Sequence, residues 1–163
     1  MIRPIVLWPD PVLSTPCARI EAIDDEVRKL AADMLETIYA APGRGLAAPQ
    51  VGVARRLFVM DTAWKDGEPA PVVMVNPEIV AESADRVIGP EGCLSIPGVT
   101  ADVERALSVT LSWTTLDGET REAVLSRFDA ICAQHELDHL DGIVTFDRVA
   151  PALRALLEQD YLA

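Results

Sequence analysis

Five consecutive residues carry the strongest chemical signal in the chain: His135-Glu136-Leu137-Asp138-His139. Histidines four apart on a helix project from one face, so both imidazoles can grip a single metal ion. Glu136 sits beside the first of them and can take a proton from water on that ion. This is the logic of the H-E-x-x-H signature of metal-dependent hydrolases. The chain has only 2 histidines and both fall in this segment, which weighs against an incidental pair on a surface or in a core.

A metal site of this kind wants a third protein ligand and an open position for water. The cysteines are Cys17, Cys93 and Cys132. Cys93 stands in Pro90-Glu91-Gly92-Cys93-Leu94-Ser95, where small residues let backbone approach a ligand closely, and it reads equally well as a ligand or a buried thiol. Cys132 lies three residues before His135 on the same helix, near the ligand face; a small core residue is the better reading. Cys17 lies in a proline-rich arm. A third constellation, Gly43-Arg44-Gly45-Leu46-Ala47-Ala48-Pro49-Gln50, combines a close-approach backbone with an amide donor. Gln50 could stabilise a developing oxyanion, and by itself the segment also reads as a tight structural turn.

These groups need a scaffold. The chain has 163 residues, half of them hydrophobic, which suits one α+β domain spanning 1–163. Asp24 or Asp25 caps a helix running to about Ala40, with Val27, Leu30, Ala31, Met34, Leu35 and Ile38 as its apolar stripe. Residues 1–23 read as an irregular arm. Leu57–Met60 and Val72–Val75 read as short strands, the second interrupted at Asn76-Pro77. Residues 85–104 read as loop with short strand pieces, given Gly89, Gly92, Gly98, Pro90 and Pro97. Leu107, Val109, Leu111 and Trp113 alternate with polar residues, so they mark a half-buried strand that turns at Asp117-Gly118 and returns through Ala123–Leu125. Ser126 or Asp129 starts the metal-binding helix, which runs through Leu140 and is closed by Gly142. Pro151 opens a C-terminal helix with Leu153, Leu156 and Leu157 as its apolar face. The expected architecture is short antiparallel strands wrapped around the central helix, flanked by an N-terminal and a C-terminal helix.

Charge narrows the partners. There are 26 acidic and 14 basic residues, a formal charge of −12, which disfavours nucleic acid and anionic membrane. No apolar run approaches the roughly 20 residues needed to cross a bilayer. A sparse, odd set of cysteines and no secretory pattern lead to an expectation of a reducing cytoplasm.

Taken together, residues 43–50, 91–95 and 135–139 resemble the three ordered motifs of the peptide deformylases, and the flanks Val51-Gly52, Ile96-Pro97-Gly98, Gln134 and Leu140-Asp141-Gly142 match as well. The resemblance runs from Asp10-Pro11-Val12-Leu13 to Phe146-Asp147-Arg148. It implies that Cys93, His135 and His139 bind one divalent metal with water as fourth ligand. Ferrous iron is the implied ion in the cell, with zinc or nickel substituting in isolated protein. Glu136 would be general base and then acid. The Gln50 side chain and the Leu94 backbone N–H would hold the oxyanion, and Glu91 and Asp138 would orient ligands. Gly43, Arg44, Gly45, Glu91, Phe128, Ile131 and Cys132 would line the substrate site. The implied substrate is the N-formylmethionyl end of a nascent chain, acted on by a monomer with at most transient ribosome contact.

Three positions depart from the family pattern. Arg44 replaces a small aliphatic residue, and it could cap, narrow or re-charge the methionine pocket, or carry its charge to solvent over a packed stem. Arg127 replaces a Gly before the metal helix, and Thr100 stands where relatives place Arg or Tyr. The C-terminal helix offsets Arg148 and Arg154 with Asp147, Glu158 and Asp160, so it offers no strongly basic face to a ribosome. Competing readings are a zinc endopeptidase, a hydrolase of another N-acyl group, and an inactive deformylase-like binding protein.

Overall fold

The computed structural model describes residues Met1–Ala163. Helix α1 spans Asp25–Ala40, with the Asp24 carboxylate accepting from the Val27 N–H at 3.0 Å. Strands β1 (Gly45–Ala47), β2 (Leu57–Met60), β3 (Val72–Glu82), β4 (Arg86–Cys93), β5 (Ile96–Ala106), β6 (Ser108–Thr114) and β7 (Thr120–Ser126) follow in order. Helix α2 is Phe128–Leu140 and α3 is Pro151–Leu162. Five strands form one antiparallel sheet in the order β1-β2-β3-β6-β7, and β4 pairs with β5 in a separate hairpin.

The large sheet is covered on both faces where it matters. Phe58, Met60, Met74, Val109 and Leu111 pack against Ala130, Ala133, Leu137 and Leu140 of α2. Leu57, Val59 and Val75 point the other way, into Val27, Leu30, Ala31, Met34 and Ile38 of α1. Alternation along β2 therefore feeds two cores, and all four of its residues are buried. A third cluster, Leu13, Ile96, Val144 and Phe146, joins the N-terminal arm to β5 and the chain after α2.

Several expectations need correction. Residues 85–104 are not mainly loop. They form most of the β4–β5 hairpin, paired from Arg86↔Ala106 to Gly92↔Thr100, and both β5 and β3 run 11 residues. The glycines and prolines signalled punctuation locally, but cross-strand pairing overrides that signal. Asn76-Pro77 does not break β3; Asn76 takes φ 50° and the register with β6 shifts between Val75 and Glu78, a bulge rather than an end. The Asn76 side chain accepts from the Ile20 N–H and donates to the Ile20 carbonyl, each at 2.9 Å, tying the arm to the bulge. Neither Ser126 nor Asp129 caps α2. Arg127 holds the cap position at φ 56°, ψ −127°, without a side-chain cap. On α3, Leu157 and Tyr161 pack inward, whereas Leu153 and Leu156 are exposed. The inward face of the helix therefore lies against the cluster around Phe146, with Tyr161 edge-on to that ring. No helix is long and apolar enough to cross a membrane.

Candidate active site

Helix α2 is buried on nearly every side, yet it carries Gln134, Glu136, Asp138 and His139 inside. Polar groups in such a place need partners. Gln134 finds them on β5: its amide oxygen accepts from the Ala106 N–H at 3.1 Å and its amide nitrogen donates to the Ala106 carbonyl at 2.9 Å. That double bond fixes the helix against the hairpin that carries Cys93. Cys93 ends β4, and Cys93↔Ile96 closes the tight turn through Leu94 and Ser95.

The turn delivers its thiol to the helix. Cys93 Sγ lies 3.4 Å from His139 Nε2. The donor atoms of Cys93, His135 and His139 all fall within 4.8 Å of one another. Burial, then the neighbouring His135, keeps His139 neutral, the form in which imidazole binds metal. Burial works against charge on His135, but Cys93 and Glu91 as acceptors outweigh it and push its pKa well up. The site thus favours positive charge between the ring and the thiol. One thiolate and two imidazoles fit a divalent cation, which would take the place of that proton.

Glu136 points at the same place. It is 2% exposed, and its Oε2 has no hydrogen-bond partner. Burial raises its carboxyl, only partly offset by His135, to about 7. A buried carboxyl poised near neutrality is suited to taking and returning a proton. Gly45 is what lets it lie there: a Cβ at that position would stand 2.9 Å from Cys132 Sγ and 3.0 Å from Glu136 Oε2. Likewise a Cβ on Gly43 would come within 2.7 Å of the Leu94 side chain. The two glycines are thus spaced by close approach to β4 and α2.

Gln50 follows β1 on a 3-10 turn, Ala48–Val51, and is 1% exposed. Its amide oxygen accepts from the Ala47 N–H at 3.0 Å, which fixes its orientation. Its amide nitrogen then donates to Ser95 Oγ at 3.0 Å and towards Cys93 Sγ at 3.6 Å. Ser95 was not singled out from sequence; a buried hydroxyl in Glu-Gly-Cys-Leu-Ser was its only signal.

Sequence reasoning also missed Arg105 and, though it named Arg148, missed that residue's pairing with Asp138. Arg105, from β5, donates to both oxygens of Glu91 at 2.9 Å and to Asp138 at 2.6 Å. Arg148 closes on Asp138 from outside at 2.6 and 3.0 Å. Glu91 in turn meets His135 Nδ1 at 3.0 Å. A chain of alternating charge therefore runs from a candidate ligand to the surface: His135, Glu91, Arg105, Asp138, Arg148. Burial raises the Glu91 carboxyl, but Arg105 and His135 more than offset it and hold it at about 2. A signal existed, since a Glu and an Asp expected inside require buried cations.

A cleft of about 1100 Å³ opens over this site, between the segment after α1, the β4–β5 hairpin and α2. Gly43, Arg44, Gly45, Gln50, Glu91, Cys93, Leu94, Phe128, Ile131, Cys132, His135 and Glu136 all line it, as does Thr100. His139 lies beneath. Cys132 faces the cleft beside Glu136 and is outside the donor triad; burial pushes its thiol pKa well up. Arg44 neither caps the pocket as a free charge nor extends wholly to solvent. Its guanidinium stacks on Phe128, 5.0 Å from the ring centroid.

A cysteine, two histidines and a buried carboxylate at the floor of such a cleft define a metal-dependent hydrolase on an α+β scaffold. The model of the polypeptide deformylase family matches residues 2–155. A peptide deformylase of Agrobacterium fabrum is 46% identical over 156 residues, covering 96% of this chain and 92% of that protein. One from Afipia carboxidovorans is 47% identical over 153 residues, covering 94% and 90%. The crystal structure of a peptide deformylase from Legionella pneumophila superposes with a TM-score of 0.93 at 37% identity, covering 99% and 94% of the two chains. One from Synechococcus elongatus, in complex with actinonin, gives 0.90 at 40% identity, covering 98% and 90%. The chain belongs to the polypeptide deformylase family, hydrolases that remove the N-formyl group from nascent peptides.

Proposed function

We propose that residues 1–163 form one catalytic domain that hydrolyses N-formylmethionyl peptides to formate and a free amine, with the metal held by Cys93, His135 and His139. The observation that carries this assignment of roles is the convergence of those three donors within 4.8 Å beside a buried, unpartnered Glu136 oxygen. When bound, the ion acidifies water and polarises the formyl oxygen. Glu136 takes the proton from the attacking water and passes it to the leaving nitrogen, a role open to a buried carboxylate whose Oε2 has no other partner. Gln50 Nε2 and the Leu94 backbone N–H stabilise charge developing on the formyl oxygen. Glu91 holds the His135 ring by Nδ1, so that Nε2 faces the ion.

The mixed thiolate and imidazole set suits iron, zinc or nickel; we assign ferrous iron in the cell and zinc or nickel in isolated protein. We further assign a cytoplasmic monomer with no nucleic-acid partner. A transient ribosome contact would use little of the C-terminal helix, where Arg154 is already paired to Asp147 and Glu158 at 2.6 and 2.7 Å. The test is a formate-release assay on anaerobically purified protein, with formyl-Met-Ala-Ser beside acetyl-Met-Ala-Ser. Release of formate and little or no acetate is expected. Preference for the acetyl peptide, or no turnover of either with metal bound, would overturn the reading.

A further inference from the structure

Charge at the mouth of the cleft is distributed unlike charge at its floor. At the floor, Glu91, Arg105 and Glu136 are 8%, 4% and 2% exposed, so little of their charge faces solvent. At the mouth, the ionised side chains lining the cleft are Arg44 and Lys65, both cationic. Each lies over an aromatic ring, and Lys65 has no carboxylate within ion-pair distance. Arg44 lies over Phe128 at 5.0 Å, and Lys65 Nζ lies 5.7 Å from the Trp64 ring. The one carboxylate in reach of Arg44 is Asp66, at 3.4 Å and 80% exposed. Arg44 Nε is buried without any acceptor. The ring holds the guanidinium by its face, while one edge nitrogen, Nη2, donates to the exposed Asp66.

The mount for these cations is rigid. Trp64 Nε1 donates to the Gly43 carbonyl at 2.9 Å, and Trp64 packs edge-on against Tyr39 at 5.3 Å. The Asp61 carboxylate accepts from the Ala63, Trp64 and Ala70 N–H groups and from the Tyr39 hydroxyl. The loop bearing Lys65 is therefore built to stay beside Gly43 and Arg44. On a chain of net charge −12, a fixed cationic mouth is a local exception that favours an anion.

We propose that Arg44, assisted by Lys65, is a specificity determinant that selects formylated peptides carrying an acidic side chain just after the first residue. The ligand chemistry is a carboxylate, which takes the place of the 80% exposed Asp66 carboxylate on the edge of Arg44. This inference rests on the deformylase reading above and adds the substrate class to it.

The experiment compares kcat/KM for formyl-Met-Glu-Ala, formyl-Met-Gln-Ala and formyl-Met-Lys-Ala, all amidated at the C-terminus so that no terminal carboxylate competes. The wild type should prefer Glu over Lys by about fivefold at low salt, with Gln between, and the spread should shrink in 0.5 M salt. Arg44→Leu should bring the three within about twofold, and Lys65→Ala should reduce the spread partially. Equal rates in the wild type, or an unchanged Glu preference in Arg44→Leu, would overturn the proposal. If Arg44→Leu does not fold, the wild-type order and its salt dependence decide. Formate release from none of the three would instead break the deformylase reading and this proposal with it.

Discussion

Beneath the cleft Glu91, Arg105 and Asp138 are each at least 92% buried and each of the three has a close partner of opposite charge. At its mouth Arg44 rests on Phe128 and Lys65 on Trp64, with Phe128 47% exposed and Asp66 the one acid near Arg44. The first arrangement has few alternatives, because moving one group strands another in a low-dielectric interior. The second has many, because exposed cations on rings exchange partners at a cost below about 1 kcal/mol. Under the proposed function, the difference separates reaction geometry in the buried network from substrate choice at the mouth.

The contrast can be broken at either end. The largest effect is expected from Glu136→Gln, which keeps the shape but cannot take a proton. Its kcat/KM should fall about 100- to 10,000-fold while metal content stays at the wild-type level; near-normal turnover would remove Glu136 from the proton path. Next, Arg105→Ala leaves Glu91 with His135 alone and Asp138 with Arg148 alone. We expect a loss of about 3–5 kcal/mol, read as a thermal midpoint lower by roughly 10 °C. Arg148→Ala, whose side chain is 43% exposed, should cost far less. Equal losses in these two variants would mean that the floor is no more constrained than the surface.

Glu91 tests the same network through pH. Its folded carboxyl sits at about 2, below the 4.5 of a free side chain. The stabilisation is thus fully present above about pH 4.5 and lost as pH falls towards 2. In metal-free protein the stability gap between wild type and Glu91→Gln should close over that window, by about 3 kcal/mol in total. A gap independent of pH would show that Arg105 does not hold Glu91 ionised. The smallest effect is expected at the start of α2. Arg127 takes φ 56°, ψ −127°, a conformation that suits glycine. Arg127→Gly should stabilise by about 1 kcal/mol, relieving backbone strain against some added freedom in the unfolded chain. Unchanged or lower stability would mean that the conformation is strain-free for Arg.

The sequence made the floor more legible than the mouth for a physical reason. His135, Glu136 and His139 are fixed by helical spacing, and Cys93 and Gln50 sit in motifs whose residue types already suggest ligand and donor. Arg105 was silent, and Arg148 was read only as a charge offset near the C-terminus, because their roles exist through contacts 14 and 33 residues away for Arg105 and 10 for Arg148. Arg44 was conspicuous but undetermined, since its conformation depends on Phe128, a residue on another element. Among the elements, α1 was readable from its Asp24 cap and apolar stripe, and α2 from its histidine spacing and Gly142, but not from its start, where Arg127 takes the cap position without a side-chain bond. The β4–β5 hairpin was not, because Gly89, Pro90, Gly92, Pro97 and Gly98 mask a pairing that is set across the hairpin.

The most direct test of the floor as the seat of chemistry is to strip the metal with chelator and reload it while following formate release from formyl-Met-Ala-Ser. The account predicts negligible release from stripped protein, recovery in proportion to bound metal, and saturation at one ion per chain. Full activity without metal, or saturation only at two ions, would contradict it.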